Sequence, residues 1–165
     1  MNDYICKIAT IDEMEVMWDY EIKKHRNSNW KIWKSEAIEH VKNGQSIAYY
    51  GILNSKIICQ ATAMFDRNIV QNSDGLVDDK TVYLCAFRTV EQYQGKGYFS
   101  KLFKFMIDDL KSKGYEKITL GVEPNETDNL NIYKHLGFNE FIKSAQETYP
   151  DGTVIDVDYY GMELN

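Results

Sequence analysis

Apolar and polar positions alternate or recur with a regularity that divides the chain into eleven segments. Tyr4 to Ile8 reads as a first strand. Thr10 stands three residues before Glu13, the spacing of a capping box, and Ile11, Met14, Trp18 and Ile22 then recur at helical intervals, so a helix runs to about Lys24. His25 to Asn29 is a polar break, where His25 is expected to be solvated. A second helix carries Trp30, Trp33, Ala37, Ile38 and Val41 on one face and stops at Asn43-Gly44. Ser46–Leu53 and Lys56–Phe65 are β-rich runs around Asn54-Ser55, which predicts a hairpin. The stretch 66–80 is polar and long for a connection, so it is functional or mobile. A strand over Thr81–Thr89 leads through a glycine-containing turn to a helix from about Tyr98 to Lys113, whose buried stripe is Phe99, Leu102, Phe103, Met106 and Leu110. Lys117–Val122 is a further strand and Asp128–Leu136 a short helix stopped by Gly137. Two last strands, Phe138–Thr148 and Val154–Leu164, flank Tyr149-Pro150-Asp151-Gly152.

The order is β-α-α-β-β-β-α-β-α-β-β. Strand–helix–strand steps in the second half predict a layered α/β (α+β) domain with a mixed sheet. At 165 residues the chain has room for one domain, taken as 1–165. Hydrophobic residues at 44% exclude wholesale disorder. No apolar run approaches a membrane span, and Met1 to Tyr4 lacks the features of a signal peptide, so a cytoplasmic protein without a membrane partner is expected. The net charge of -6, without a basic stripe, disfavours nucleic acid and is compatible with a cationic small molecule or a basic peptide. Cys6, Cys59 and Cys85 are widely spaced and odd in number, which argues against a disulfide framework and favours buried reduced thiols. His25, His40 and His135 lie far apart with no cysteine pair nearby, so no metal site is expected, and no Gly-x-Ser-x-Gly suggests a hydrolase.

The most informative stretch is Glu91 to Phe99, between a strand and an amphipathic helix. Its glycines let backbone amides approach a ligand, and a helix N-terminus attracts anions through unpaired amides and its dipole. The pattern suits a phosphate or pyrophosphate with Lys96 at the rim, although an ordinary strand-to-helix turn is the bland alternative. It matches neither a Walker loop nor Gly-x-Gly-x-x-Gly, because Ser100 occupies the third glycine position.

Gln92-x-x-Gly95-x-Gly97 resembles the Gln/Arg-x-x-Gly-x-Gly/Ala signature of the GCN5-related N-acetyltransferases, the GNAT family. The strand Leu84-Cys85-Ala86-Phe87 resembles that family's fourth strand, and Tyr133 to Phe138 its Tyr-x-x-x-Gly-Phe signature. The resemblance extends over nearly the whole chain in element order. It implies a mostly antiparallel sheet of about seven strands flanked by four helices, and acetyl-CoA as co-substrate without a metal. Backbone groups of Cys85, Ala86 and Phe87 would pair with the pantetheine arm, and the family's fourth strand usually carries a bulge that splays it from the fifth and opens the slot for that arm. Amides of Tyr93, Gln94, Gly95, Lys96, Gly97 and Tyr98 would hold the pyrophosphate, and Asn125 or Asn129 could reach the CoA chain. Tyr133 would protonate the departing thiolate.

An attacking amine with pKa near 10.4 is neutral in only about one molecule in 2,500 at pH 7, so a base is needed. The positions where relatives place a glutamate hold Thr81 and Gly121 here. Glu123 is the nearest carboxylate to the expected splay, with Asp78, Asp79 and Tyr159 as further candidates. The helix junction and the last turn, with Trp30, Trp33, Tyr149 and Asp151, would wall the acceptor pocket, although the tryptophans are expected chiefly as core anchors. Whether Asp66, Asp74, Asp78, Asp79, Glu123 and Asp151 gather there or disperse is a question for the fold. The implied activity is transfer of an acetyl group to a primary amine of a small molecule or peptide. The alternative is a non-catalytic acyl-CoA sensor of the same fold. Dimers are common in the family, and a homodimer is compatible with this chain.

Overall fold

The computed structural model describes residues 3–165. Seven strands form one sheet: β1 (Tyr4–Ile8), β2 (Ser46–Leu53), β3 (Lys56–Met64), β4 (Thr81–Thr89), β5 (Lys117–Val122), β6 (Glu140–Thr148) and β7 (Val154–Glu163). The helices are α1 (Ile11–Lys24), α2 (Asn29–Lys42), α3 (Tyr98–Ser112) and α4 (Thr127–Leu136). The spatial order is β1-β2-β3-β4-β5-β7-β6. Only β4 and β5 run parallel; every other neighbouring pair is antiparallel. None of the described helices is long and apolar enough to cross a membrane.

Local chemistry sets the element ends much as the pattern predicts. Thr10 and Glu13 form a reciprocal capping box at α1. Asn54 and Ser55 both take positive φ (49° and 70°), the backbone of a type I′ hairpin turn.

Alternation along β2 separates the two faces of the sheet. Tyr49 and Leu53 join the core under α3, with Leu102, Phe103, Met106, Leu110, Val82, Leu84 and Ile118. Ala48, Tyr50 and Ile52 face the other way, into the layer formed by α1 and α2. Each fully buried side chain of the α3 stripe contributes about 1.5–3 kcal/mol, enough to fix this helix on the sheet.

The connection 66–80 is not a loose loop. Val70, Leu76 and Val77 are buried in a third cluster with Val157 and Tyr159 of β7. Asn72 and Gln71 hydrogen-bond to β6 at Gln146 and Thr148, and Lys143 donates to the carbonyls of Asn72 (2.8 Å) and Asp74 (2.6 Å). This segment and the α1–α2 layer lie on one face of the sheet, opposite α3.

Candidate active site

The sheet opens at its centre. β4 and β5 pair only at Thr81–Lys117, Val82–Ile118 and Tyr83–Thr119, and beyond Tyr83 they part. The cause is visible on β4. Its pairing with β3 jumps from Gln60–Arg88 to Thr62–Cys85, so β4 carries one residue more than its partner. Ala86 takes φ +57°, a left-handed conformation that costs an L-residue about 1–2 kcal/mol. It marks a β-bulge, which bends the strand and leaves backbone groups without a ladder partner.

One end of the opening meets the glycine loop. Gly95 and Gly97 have φ +73° and +84°, and a Cβ at either would meet nothing within 4 Å. The turn therefore requires glycine for its backbone conformation, and the space beside it is open. Gly97 is the N-cap of α3 and provides no side-chain cap, and the first turn of α3 carries no acidic residue. The helix dipole there is not countered by a carboxylate, so an anion is favoured. Lys96 is exposed at the rim. Gln94 is held by a 3.0 Å bond from Nε2 to the Thr89 carbonyl. These residues fit a pyrophosphate with an arm running into the opening.

On the α3 face, Phe87 lies against Phe99, Phe103 and Tyr133, with ring centres 5.1, 6.2 and 5.8 Å away. Tyr133 comes from α4 and is half-buried. Burial, and then Glu126, push its hydroxyl pKa up, so it keeps its proton at neutral pH. Asn125 and Asn129 are exposed, and Asn129 Nδ2 donates to Glu126 Oε2 at 2.6 Å.

On the opposite face Tyr83 of β4 lies against Tyr159 of β7, with ring centres 6.2 Å apart. Tyr159 donates to Glu147 Oε2 at 2.6 Å and accepts from Asn72 Nδ2 at 3.0 Å. Burial pushes the Cys85 thiol up to about 12, which makes it a poor nucleophile. Glu123 is pushed above the usual carboxylate range by burial, then by a hydrogen bond and repulsion from Glu126, and then by Glu147. Burial also raises Tyr149, followed by the charges of Glu123, Glu147, Glu126 and Asp151. A negative field thus converges on Tyr149. The other aspartates disperse: Asp66 accepts from Gln45, Asp74 pairs with Arg67, and Asp78 caps the Lys80 amide.

The wall beyond is aromatic. His25 stacks on Trp30 at 3.9 Å, Trp30 meets Trp33 edge-on at 5.3 Å, and Trp33 meets Tyr149 at 5.1 Å. His25 is therefore not the solvated residue its polar surroundings suggested: its Nε2 also lies 3.2 Å from Glu21 Oε2. Both tryptophans pack in the α1–α2 core, and Trp33 also touches the last turn. Sequence patterns gave no sign of Glu21 and Gln60, which are buried, or of the buried guanidinium of Arg88, 4.8 Å from the Trp30 ring centre. Charged and amide side chains are placed at the surface by default, and only their neighbours across the fold bury them.

A sequence model of the Acetyltransferase (GNAT) family matches residues 11–138, well over half the chain. This chain belongs to the GNAT family. It is 30% identical over 71 residues to N-alpha-acetyltransferase 30 of Schizosaccharomyces pombe, a match covering 43% of this chain and 47% of that protein. The matched region is thus about half the length of that relative. The fold matches the ribosomal-protein-S18-alanine N-acetyltransferase of Escherichia coli with a TM-score of 0.70 at 17% identity, over 99% of this chain and 95% of that one. It matches YncA of Salmonella typhimurium, solved with its cofactor acetyl-CoA, with a TM-score of 0.68 at 14% identity, over 99% and 95%. The GNAT architecture expected from the motifs is therefore the one this chain adopts.

Proposed function

We propose that this GNAT protein, a single domain over residues 1–165, transfers the acetyl group of acetyl-CoA to a primary amine in a ternary complex. The observation that carries this reading is the opening between β4 and β5 beyond Tyr83–Thr119, bounded by the Ala86 bulge, the Gly95–Gly97 turn and Tyr133. Acetyl-CoA supplies an activated acetyl group. Backbone groups of Cys85, Ala86 and Phe87 hold its arm, and amides from Tyr93 to Tyr98 hold its pyrophosphate, with Asn125 and Asn129 flanking. Strand amides polarise the thioester oxygen as charge develops. Tyr133, with its raised pKa, gives a proton to the departing sulfur.

Glu123, Glu126 and Glu147 provide the field that draws in an ammonium, and a carboxylate has to take its proton; by sequence position Glu123 is the first candidate. The acceptor class is a small-molecule or peptide amine. The names of two relatives, an N-alpha-acetyltransferase and a ribosomal-protein-alanine N-acetyltransferase, favour including polypeptide amino groups. Three free cysteines suit a reducing, cytoplasmic setting.

Thiol release from acetyl-CoA, assayed over a panel of polyamines, amino-acid derivatives and peptides, tests the reading. Turnover on at least one amine is expected, and Tyr133→Phe should lower it about 10²-fold with acetyl-CoA affinity nearly unchanged. Binding of acetyl-CoA without turnover on any amine would convert the protein into an acyl-CoA sensor.

A further inference from the structure

An ammonium entering from the α1–α2 face needs a proton acceptor inside the opening, and most carboxylates near β4 and β5 are occupied or outside it. Glu123 is set against the like charge of Glu126, itself exposed. Asp78 caps the start of β4, and Asp79 is exposed there. On β5, beyond the last pair with β4, Gly121 lies opposite Tyr159, and the reason it bears no side chain is geometric. A Cβ at Gly121 would stand 2.7 Å from Val157 Cγ1 and 2.9 Å from Tyr159 Cε1. The ring of Tyr159, which pairs with Gly121 across the β5–β7 ladder, fills that volume.

Tyr159 is fully buried, yet its hydroxyl reaches a carboxylate. That carboxylate is Glu147, which pairs with Ile155 on β7, on the same face as Val157 and Tyr159. Glu147 projects from β6, is only partly exposed, and is held by one strong bond from Tyr159. Asn72 completes the chain by donating to Tyr159, and Asn72 is itself fixed by Lys143 and the Gln146 carbonyl. The groups facing Glu147 are Tyr159 on β7, Tyr83 and Cys85 on β4, Glu123 after β5, and Tyr149 in the last turn; each has its pKa raised in part by the Glu147 charge. No cation hydrogen-bonds to Glu147 among the described residues, so an incoming ammonium would be its natural partner. Tyr159, the partner of Glu147, packs on Tyr83 on one face of β4, and Tyr133 packs on Phe87 on the other.

We propose that Glu147 is the catalytic carboxylate that accepts the proton of the acceptor ammonium, with Tyr159 as its positioning residue. The assignment rests on the acetyl-transfer reading above. The ammonium gives one proton to Glu147. The neutral amine then forms a C–N bond to the acetyl carbon as the C–S bond breaks, and the sulfur takes the Tyr133 proton. The second surplus proton on nitrogen restores Tyr133 through solvent, and Glu147 releases its own, so one proton leaves per turnover.

The test measures thiol release against pH for the wild type, Glu147→Gln, Glu123→Gln and Tyr159→Phe, with spermidine and a peptide bearing a free amino-terminal alanine as probes. Glu147→Gln should lose about 10²-fold in kcat/KM at pH 7. The deficit should narrow as pH approaches the amine's own pKa, because a neutral amine needs no acceptor. Tyr159→Phe keeps the ring beside Gly121 and removes only the donor. It should lower kcat severalfold and shift the acidic limb of the profile, with KM unchanged. Calorimetry should find wild-type acetyl-CoA affinity in Glu147→Gln, and a folded melting profile in both variants. Wild-type rates in Glu147→Gln, a deficit that does not vary with pH, or weakened acetyl-CoA binding would overturn the assignment. So would the pH-dependent loss appearing in Glu123→Gln instead. Failure of the wild type on both probes and on every other amine of the panel would strike the acetyl-transfer reading itself, and this assignment with it.

Discussion

Two kinds of titrating side chain meet at the opening, and burial makes both weaker acids. Tyr133 and Tyr159 are made weaker acids, which keeps their protons available for donation and for hydrogen bonding. Glu123 is also made a weaker acid, but its carboxylate faces Glu126 and Glu147 of like charge. A carboxyl raised in the folded state favours folding when protonated. That contribution is complete below the ordinary glutamate pKa of about 4.3 and disappears as pH rises through the folded value. At pH 7 the native state therefore carries a repulsion that Glu123→Gln removes. The variant should melt higher than the wild type at pH 7, and the gap should close towards pH 4 in paired thermal melts. Tyr133 was legible from its neighbours Gly137 and Phe138. Glu147 was not, because a glutamate in an alternating strand has the pattern of a solvated face until the fold brings Tyr159 beneath it.

The decisive element is β4, whose bulge ends its ladder with β5 after three pairs. The strand itself was plain from its apolar run, as were all eleven elements and their order. Nothing in the run signals that Ala86 adopts φ +57°, since alanine carries no turn preference of its own. Gly121 has a similar history. As a glycine in a strand it weakens the sequence signal, and its purpose emerges only from the Tyr159 and Val157 contacts. Gly121→Ala should cost about 1–3 kcal/mol in chemical denaturation, because neither ring nor valine lies at the end of a flexible chain. If Tyr159 moves to accommodate the methyl, kcat should fall along with stability.

Across the whole molecule, the acceptor side is assembled from segments far apart in the chain. Asn29, buried at the start of α2, accepts the Asp151 amide through Oδ1 at 2.9 Å, joining the first helices to the last turn. Trp33 and Tyr149 make the adjacent contact. Asn29→Ala leaves the Asp151 amide without that acceptor and should cost about 0.5–1.5 kcal/mol. It should raise KM for the amine in steady-state assays without altering acetyl-CoA affinity, since the glycine loop lies across the sheet. By itself the sequence determined the elements, their order, the glycine turn and the tyrosine of α4, because these depend on local periodicity and on contiguous motifs. The tertiary structure alone decided where β4 leaves β5, which carboxylates converge, and that Glu147 stands on Tyr159. Those features are set by pairing register and by contacts between residues from 12 to 122 positions apart, which no local pattern records.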